Sequence, residues 1–301
     1  MVIMKTDTWT INHEAINNVI INDMASIHNE SKNSNRLEVL DLLRGLTLIS
    51  MICYHAAWDL VYMFGVEWPF YKSLGGYVWQ QSICWSFILL SGFCVPLGKR
   101  PVRRGLIVFF CGAAVTAVTL IFMPSNRVVF GILTFMGSAM ILAGGLHNTI
   151  HNSLTMTVHA DDSLHNSGDP SPHTANTTLA APILTFLTFL LLKPINSHRL
   201  AFNIPLPEAL YRNNLTACFG FPPKSFFSTD YFSLLPWIFL FFTGYFLYFL
   251  ILPKYRKALE KAPCKPLQFI GRHTLFIYML HQPVIYLIFS LIFSPNFSIH
   301  P

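Results

Sequence analysis

The chain has 301 residues, of which 53% are hydrophobic and 11% charged, with a formal net charge of +6 and a mean hydropathy of +0.47. A soluble domain carries about 25% charged residues, so the composition excludes an ordinary soluble fold and points to an integral membrane protein. The positive balance does not indicate a nucleic-acid partner, because Lys and Arg stand in short clusters between apolar runs, as in membrane-protein loops.

In chain order, residues 1–35 form a polar tail ending in "NESKNSNR". It has no apolar core of signal-peptide type, so no cleaved signal is expected. Within it, "TWTINHEAINNVIINDMASIH" has the weak periodicity of a short surface helix and is equally compatible with disorder. A transmembrane domain is expected over 36–295. A spanning helix needs about 20 largely apolar residues, and seven stretches come close: 41–64, 77–97, 105–122, 128–146, 179–193, 232–252 and 271–293. The fifth is short. The predicted fold is therefore an all-α polytopic bundle of about seven spans.

Lys99, Arg100, Arg103 and Arg104 follow the second stretch, and six Lys or Arg residues fall in "PKYRKALEKAPCKPLQFIGR" after the sixth. The positive-inside rule then puts both loops and the N-terminus in the cytoplasm and the C-terminus outside. Arg199, Arg212 and Lys224 in the outward loop conflict mildly with this, but long loops tolerate such charges. The polar loop insertion 147–178 lacks Lys and Arg and is rich in His and Asp. Metal binding is one reading of such a tract. Its Ser, Asn, Thr and Pro content favours a flexible linker, and no metal site is expected. None of the six cysteines forms a CxxC pair and four lie in apolar runs, so buried thiols are expected rather than disulfides or ligands.

The first span, "LDLLRGLTLISMICYHAAWDL", carries Asp41, Arg44, His55 and Asp59. At about 100° per residue all four fall within a sector of about 60°, so they form one line on the helix. Such groups cost several kcal/mol each in lipid and mark a bundle interior or cavity. His55 and Asp59, four apart, can meet on the helix surface, which is the orienting half of a general-base dyad. Arg44, nearer the cytoplasmic end, can hold a phosphate or pair with Asp41. The bland alternative is two helix-locking ion pairs.

Other candidates are Arg127 at the head of the fourth stretch, as an acceptor clamp or a snorkelling anchor, and His281 with Gln282 before Pro283 in the last stretch. A proline there frees a backbone carbonyl and suits a cavity. Arg272 and His273 open that stretch at the cytoplasmic side and could meet phosphate groups. Gln80, Gln81 and Trp85 could line the same cavity, while Trp58, Trp68, Trp79 and Trp237 read as interfacial belt or packing.

"RLEVLDLLRGLTLISMICYHAAWDL" resembles the opening helix of the heparan-alpha-glucosaminide N-acetyltransferase-like family of bacterial inner-membrane proteins, and Arg44 with His55 matches the Arg…His signature of the related acyltransferase-3 enzymes. "WSFILLSGFCV", "RVVFGILTFMGSAMIL", "FGFPPKSFFSTDYFSLLPWIFLFFTGYFL" and "FIGRHTLFIYMLHQPV" extend the resemblance over about 36–290. It implies a transmembrane acyltransferase with acetyl-CoA or another acyl-CoA as donor and a sugar or other hydroxyl or amine as acceptor across the membrane. Its partners are then membrane lipid, the coenzyme A thioester and a glycan or small-molecule acceptor, with a dimer compatible. Catalysis would fall to His55, Asp59 and Arg44, and binding to Asp41, Arg127, Arg272, His281 and Gln282. The chain departs from the family where relatives carry a catalytic His just after the first helix, since no His lies between His55 and His147. Thr134 stands where relatives often have His after "FGIL". The charged stripe also suits a proton relay in a transporter or exporter, or glue in an assembly subunit. Transporters often carry inverted repeats, and none occurs here.

Overall fold

The computed structural model describes residues 36–161 and 173–293. The polar tail with its expected surface helix, and the middle of the His-rich tract, lie outside the described residues. Eight α-helices follow in order among the described residues: α1 Glu38–Tyr62, α2 Leu74–Cys94, α3 Pro101–Phe122, α4 Ile132–Asp161, α5 His173–Leu192, α6 Leu234–Glu260, α7 Lys265–Arg272 and α8 Thr274–Phe293. No strand occurs among them; one isolated bridge joins Arg199 and Pro205.

Local chemistry sets several helix starts. Glu38 and Asp41 place negative charge in the first turn of α1, where the helix dipole favours it. Ser73 caps α2 by accepting from the Gly75 N–H at 3.1 Å. Pro101 opens α3 at a position where its missing N–H costs nothing. For α4 the cap comes from far along the chain: Asp230 Oδ2 accepts from the Ile132 N–H at 3.0 Å.

All seven expected stretches are helical, and five helices are long and apolar enough to cross a membrane: Glu38–Tyr62, Pro101–Phe122, Leu179–Ser197, Leu234–Glu260 and Thr274–Phe293. The short fifth stretch is among them. The apolar part of α4, Ile132–His147, is shorter, about 24 Å at 1.5 Å per residue, and α2 does not qualify. The difference at α2 has a packing reason. α2 contacts α1, α4 and α6, so a helix carrying Gln80, Gln81 and three serines meets protein rather than lipid. By contrast α3 buries only Pro101, Gly105 and Gly112 and leaves Ile107, Phe110, Ile121 and Phe122 exposed. Such an apolar face is untenable in water and natural against lipid.

The tract 147–178 is less of a loop than expected, because α4 continues to Asp161 and α5 begins at His173. Its first residue, His147, makes a 3.0 Å hydrogen bond between Nδ1 and Tyr245 Oη of α6. Cys84 and Cys94 are buried, whereas Cys53 and Cys264 are exposed; on a spanning helix an apolar run can face outward as easily as inward.

The core lies where α2, α4, α5 and α6 meet, around Ile88, Ala139, Phe189, Leu240 and Phe241. Leu48, Met51, Ile83 and Phe87 seal α1 against α2. Backbones cross in close contact at glycines, the small-residue packing of membrane helices. A Cβ on Gly92 would lie 2.0 Å from the Phe241 carbonyl, and one on Gly45 2.1 Å from the Leu267 carbonyl. This second crossing presses α7 onto the start of α1 and positions the charged stripe.

Candidate functional site

The stripe on α1 meets the C-terminal segment in two places. At the basic-loop end, Asp41 is 2% exposed. Its Oδ1 accepts from Arg44 Nη1 at 3.2 Å, and its Oδ2 lies 3.5 Å from Arg272 Nε. Glu38 Oε2 accepts from the Ala262 N–H at 3.2 Å and from Gln268 Nε2 at 3.3 Å. Gln268 in turn accepts from Arg272 Nη2 at 3.4 Å. α7 is thus tied to the first turn of α1 by polar contacts on both acidic residues.

Beside this latch opens a cavity of about 330 Å³. Arg44, Arg104 and Arg272 line it with Gly271, and Phe87, Met136 and Met140 give it apolar walls that reach Tyr278. Asp41 pairs with two of the three guanidiniums and neither pair exhausts their donors, so the lining keeps surplus positive charge. Guanidinium forks of this kind suit phosphate, and the apolar interior suits an uncharged chain.

The second meeting place is deeper. Asp59 is fully buried, and its Oδ1 accepts from Gln282 Nε2 of α8 at 2.7 Å. Asp59 Oδ2, Gln282 Oε1 and His281 Nε2 are buried without hydrogen-bond partners. The rings of His55 and His281 stand edge-on, 4.9 Å apart at 63°, and His281 Nδ1 hydrogen-bonds the Tyr278 carbonyl. Here the structure departs from the expected dyad: no hydrogen bond or ion pair joins His55 to Asp59. The Gln282 amide reaches the carboxylate from α8, and the His55 ring turns to His281 instead.

Of the expected site residues, Asp41, Arg44 and Arg272 therefore meet at one end, and His55, Asp59, His281 and Gln282 at the other. Arg127 joins neither group. Its Nε donates to the Phe227 carbonyl at 3.2 Å and its guanidinium lies 5.6 Å from the Phe227 ring, in the loops at the far ends of the helices. Gln80, Gln81 and Trp85 do not line the cavity. Trp85 Nε1 donates to Gln81 Oε1 at 3.1 Å, and the indole packs on Phe186 and Phe189 of α5. His273 is exposed, with Nδ1 against the Phe269 carbonyl at 2.9 Å. Trp79 donates to Ser50 at 2.9 Å and joins α2 to α1.

Arg104, Glu38, Gln268 and Tyr278 belong to the site and were not singled out as such from sequence. The signal for Tyr278 is its position one turn before His281; for Arg104 it is only membership of a basic loop. At the far end, burial pushes the Asp230 carboxyl up to about 6, with the Ile132 N–H holding it down against that trend.

The model of the family "Heparan-alpha-glucosaminide N-acetyltransferase, catalytic" matches residues 36–160 and 173–283. The gap falls inside the His-rich tract, so the opening helix, the cavity and the His281–Gln282 pair all lie within the match. No curated protein matches the chain, and no solved structure does. With most of its length covered and several helices fit to cross a membrane, the chain belongs to the heparan-alpha-glucosaminide N-acetyltransferase catalytic family and is an integral membrane protein of acetyltransferase type.

Proposed function

We propose that the protein transfers an acyl group, acetyl in the simplest case, from coenzyme A at the basic-loop side to a sugar or other hydroxyl or amine acceptor at the opposite side. The observation that carries this reading is the cavity lined by Arg44, Arg104 and Arg272 together with apolar side chains and Tyr278. A coenzyme thioester has the matching asymmetry: a polyanionic nucleotide head and a thin, weakly polar arm ending in the reactive carbonyl. The arginines take the phosphates, with Asp41 holding Arg44 and Arg272 apart in fixed geometry. The arm follows the apolar walls toward Tyr278, whose ring lies 5.1 Å from that of His281.

Chemistry falls to the centre formed by His55, Asp59, His281 and Gln282. One of its two imidazoles takes the acceptor's proton as the acyl carbon is attacked, a step for which a positioned base contributes about 10²–10⁴-fold. Asp59 and Gln282 lock α1 to α8 beside it. The residues needed are all side chains of this chain, and the donor is a substrate rather than a resident cofactor. Seven helices crossing in alternation put the N-terminus and both basic loops in the cytoplasm and the C-terminus outside, in a bacterial inner membrane.

The test is equilibrium binding of radiolabelled acetyl-CoA to the protein purified in lipid nanodiscs. Saturable binding, weakened several-fold by Arg104→Gln, is the expected result. Failure of the wild-type protein to bind at millimolar acetyl-CoA would sink the donor assignment. Acceptor class is read by mass spectrometry of lipid and glycan extracts from a deletion strain, where one acyl mass should be missing.

A further inference from the structure

The two imidazoles of the centre are not equivalent. His281 is 9% exposed, and its Nδ1 lies in hydrogen-bond contact with the Tyr278 carbonyl. A carbonyl oxygen only accepts, so Nδ1 carries the proton and Nε2 carries the lone pair. That Nε2 is buried and has no hydrogen-bond partner. His55 has no comparable orienting group. The carboxylate one turn away from it, Asp59, accepts from Gln282 instead, and His55 contributes ring contacts, to His281 at 4.9 Å and to Tyr54 at 6.1 Å. The residue whose carbonyl sets the His281 tautomer also lines the cavity. A general base needs a bare lone pair, a fixed tautomer and access to the reacting atoms; His281 has the first two, and its ring lies 5.1 Å from that of Tyr278, which lines the cavity.

We propose that His281 Nε2 is the general base of acyl transfer, held in the correct tautomer by the Tyr278 carbonyl, and that His55 is a positioning residue packed against its ring. The inference rests on the acyltransferase reading above and names the base within it. As the acceptor oxygen or nitrogen forms its bond to the acyl carbon, its proton passes to Nε2. The carbon–sulfur bond then breaks, the thiolate leaves with the bonding pair, and the proton moves from Nε2 to sulfur. Thioester and acceptor become ester or amide and free thiol, with the imidazole neutral again and nothing oxidised or reduced.

The experiment measures acetyl-CoA consumption with glucosamine as the acceptor probe, on wild-type, His281→Ala, His281→Gln, His55→Ala and His55→Gln proteins in nanodiscs, alongside their melting temperatures. His281→Ala and His281→Gln should each lose about 10²–10⁴ in kcat with KM for acetyl-CoA unchanged. The Gln variant keeps an amide donor for the Tyr278 carbonyl, so it stays informative if the Ala variant does not fold. His55→Gln should lose much less than either. In parallel, the unmodified protein is treated with diethyl pyrocarbonate, which acylates imidazole lone pairs, and digested for mass spectrometry. Labelling at His281 ahead of His55 supports the assignment. A folded His281→Gln protein with wild-type kcat, or labelling at His55 with none at His281, overturns it while leaving the acyltransferase reading intact. A wild-type protein that neither binds nor consumes acetyl-CoA overturns that reading and the base assignment with it.

Discussion

Gly271→Ala should separate α7 from α1 and weaken the donor site. A Cβ at Gly271 would lie 1.8 Å from the Asp41 carbonyl oxygen and 3.0 Å from the Gly45 nitrogen. A carbon resting on a carbonyl oxygen needs about 3.3 Å, so the helices must part by about 1.5 Å. Both neighbours are backbone, and no side chain can swing away to absorb the change. The 3.5 Å contact of Arg272 with Asp41 and the 3.3 Å bond of Gln268 to Glu38 both span this crossing, and each would open past hydrogen-bonding range. Overpacking of this kind costs about 1–3 kcal/mol, or roughly 3–10 °C in melting temperature for a chain of this size. Arg272 is partly exposed, so loss of its pair is worth about 0.2–1 kcal/mol, a weakening of acetyl-CoA binding by about 1.4- to 5-fold. Leu46→Ala, on the α1 side of this crossing beside Gly45 but 47% exposed, is the control and should move neither quantity. Melting by intrinsic fluorescence and equilibrium binding of labelled acetyl-CoA, on the same nanodisc preparations, check both numbers. A Gly271→Ala protein that melts and binds like wild type would refute the close-contact argument.

Arg104→Gln should raise KM for acetyl-CoA several-fold while kcat holds, because a guanidinium lining the cavity binds ground and transition states alike; steady-state kinetics would expose a kcat effect instead. Gln282→Leu should destabilise the fold by about 1–3 kcal/mol, the cost of leaving the buried Asp59 carboxyl without its donor, and Asp59→Asn should cost less because the residue stays polar on both sides; equal losses in thermal melts would contradict this. Asp230 should give the stability a pH dependence. Its folded-state pKa is raised to about 6, so the contribution is fully present below the unfolded value near 4 and is lost as pH rises through 6. Asp230→Asn should therefore match wild type at pH 4 and exceed it above pH 7, by up to about 3 kcal/mol; a melting series from pH 4 to 8 with parallel curves would count against it.

How far the molecule can be read from sequence depends on whether one helix or two decides the answer. The charged line on α1 needs only the 100° turn per residue, and Asp41, Arg44, His55 and Asp59 do face protein as that turn requires. The partners of these residues are a different matter. Asp59 and Gln282 are 223 positions apart, and Glu38 and Gln268 are 230 apart. Spacing along α1 favours His55 beside Asp59, yet an amide on α8 takes the carboxylate, because tertiary contact overrides the local neighbour. Arg127 is open in sequence for the opposite reason: a cation at the head of an apolar run reads equally as clamp or anchor, and its partner, the Phe227 carbonyl, lies in a loop without periodicity to mark it. The second stretch reads from composition like the other spans, and composition does not say that α2 will lie against α1, α4 and α6.

The four charges on α1 share one face because one continuous segment of the chain, 265–283, lies along it. α7 takes the first half of the line, through Gln268 and Arg272, and α8 takes the second, through His281 and Gln282. The helix breaks between them at His273, which lets a single stretch of sequence serve two depths of α1. The two ends differ in chemistry as well as depth. Near the basic loops the charges are paired and partly solvated, so substitutions there are expected to act on binding. At the deeper end three buried polar atoms have no partner, a costly arrangement in a folded protein unless a substrate supplies the missing contacts. A site with paired guanidiniums at one end and unsatisfied polar atoms at the other, and a cavity lined by Arg44, Arg272 and Tyr278, has the form that the proposed acyl transfer requires. If those atoms wait for the acceptor, saturating acetyl-CoA and acceptor together should raise the melting temperature by more than the sum of their separate effects; strictly additive shifts would place the acceptor elsewhere.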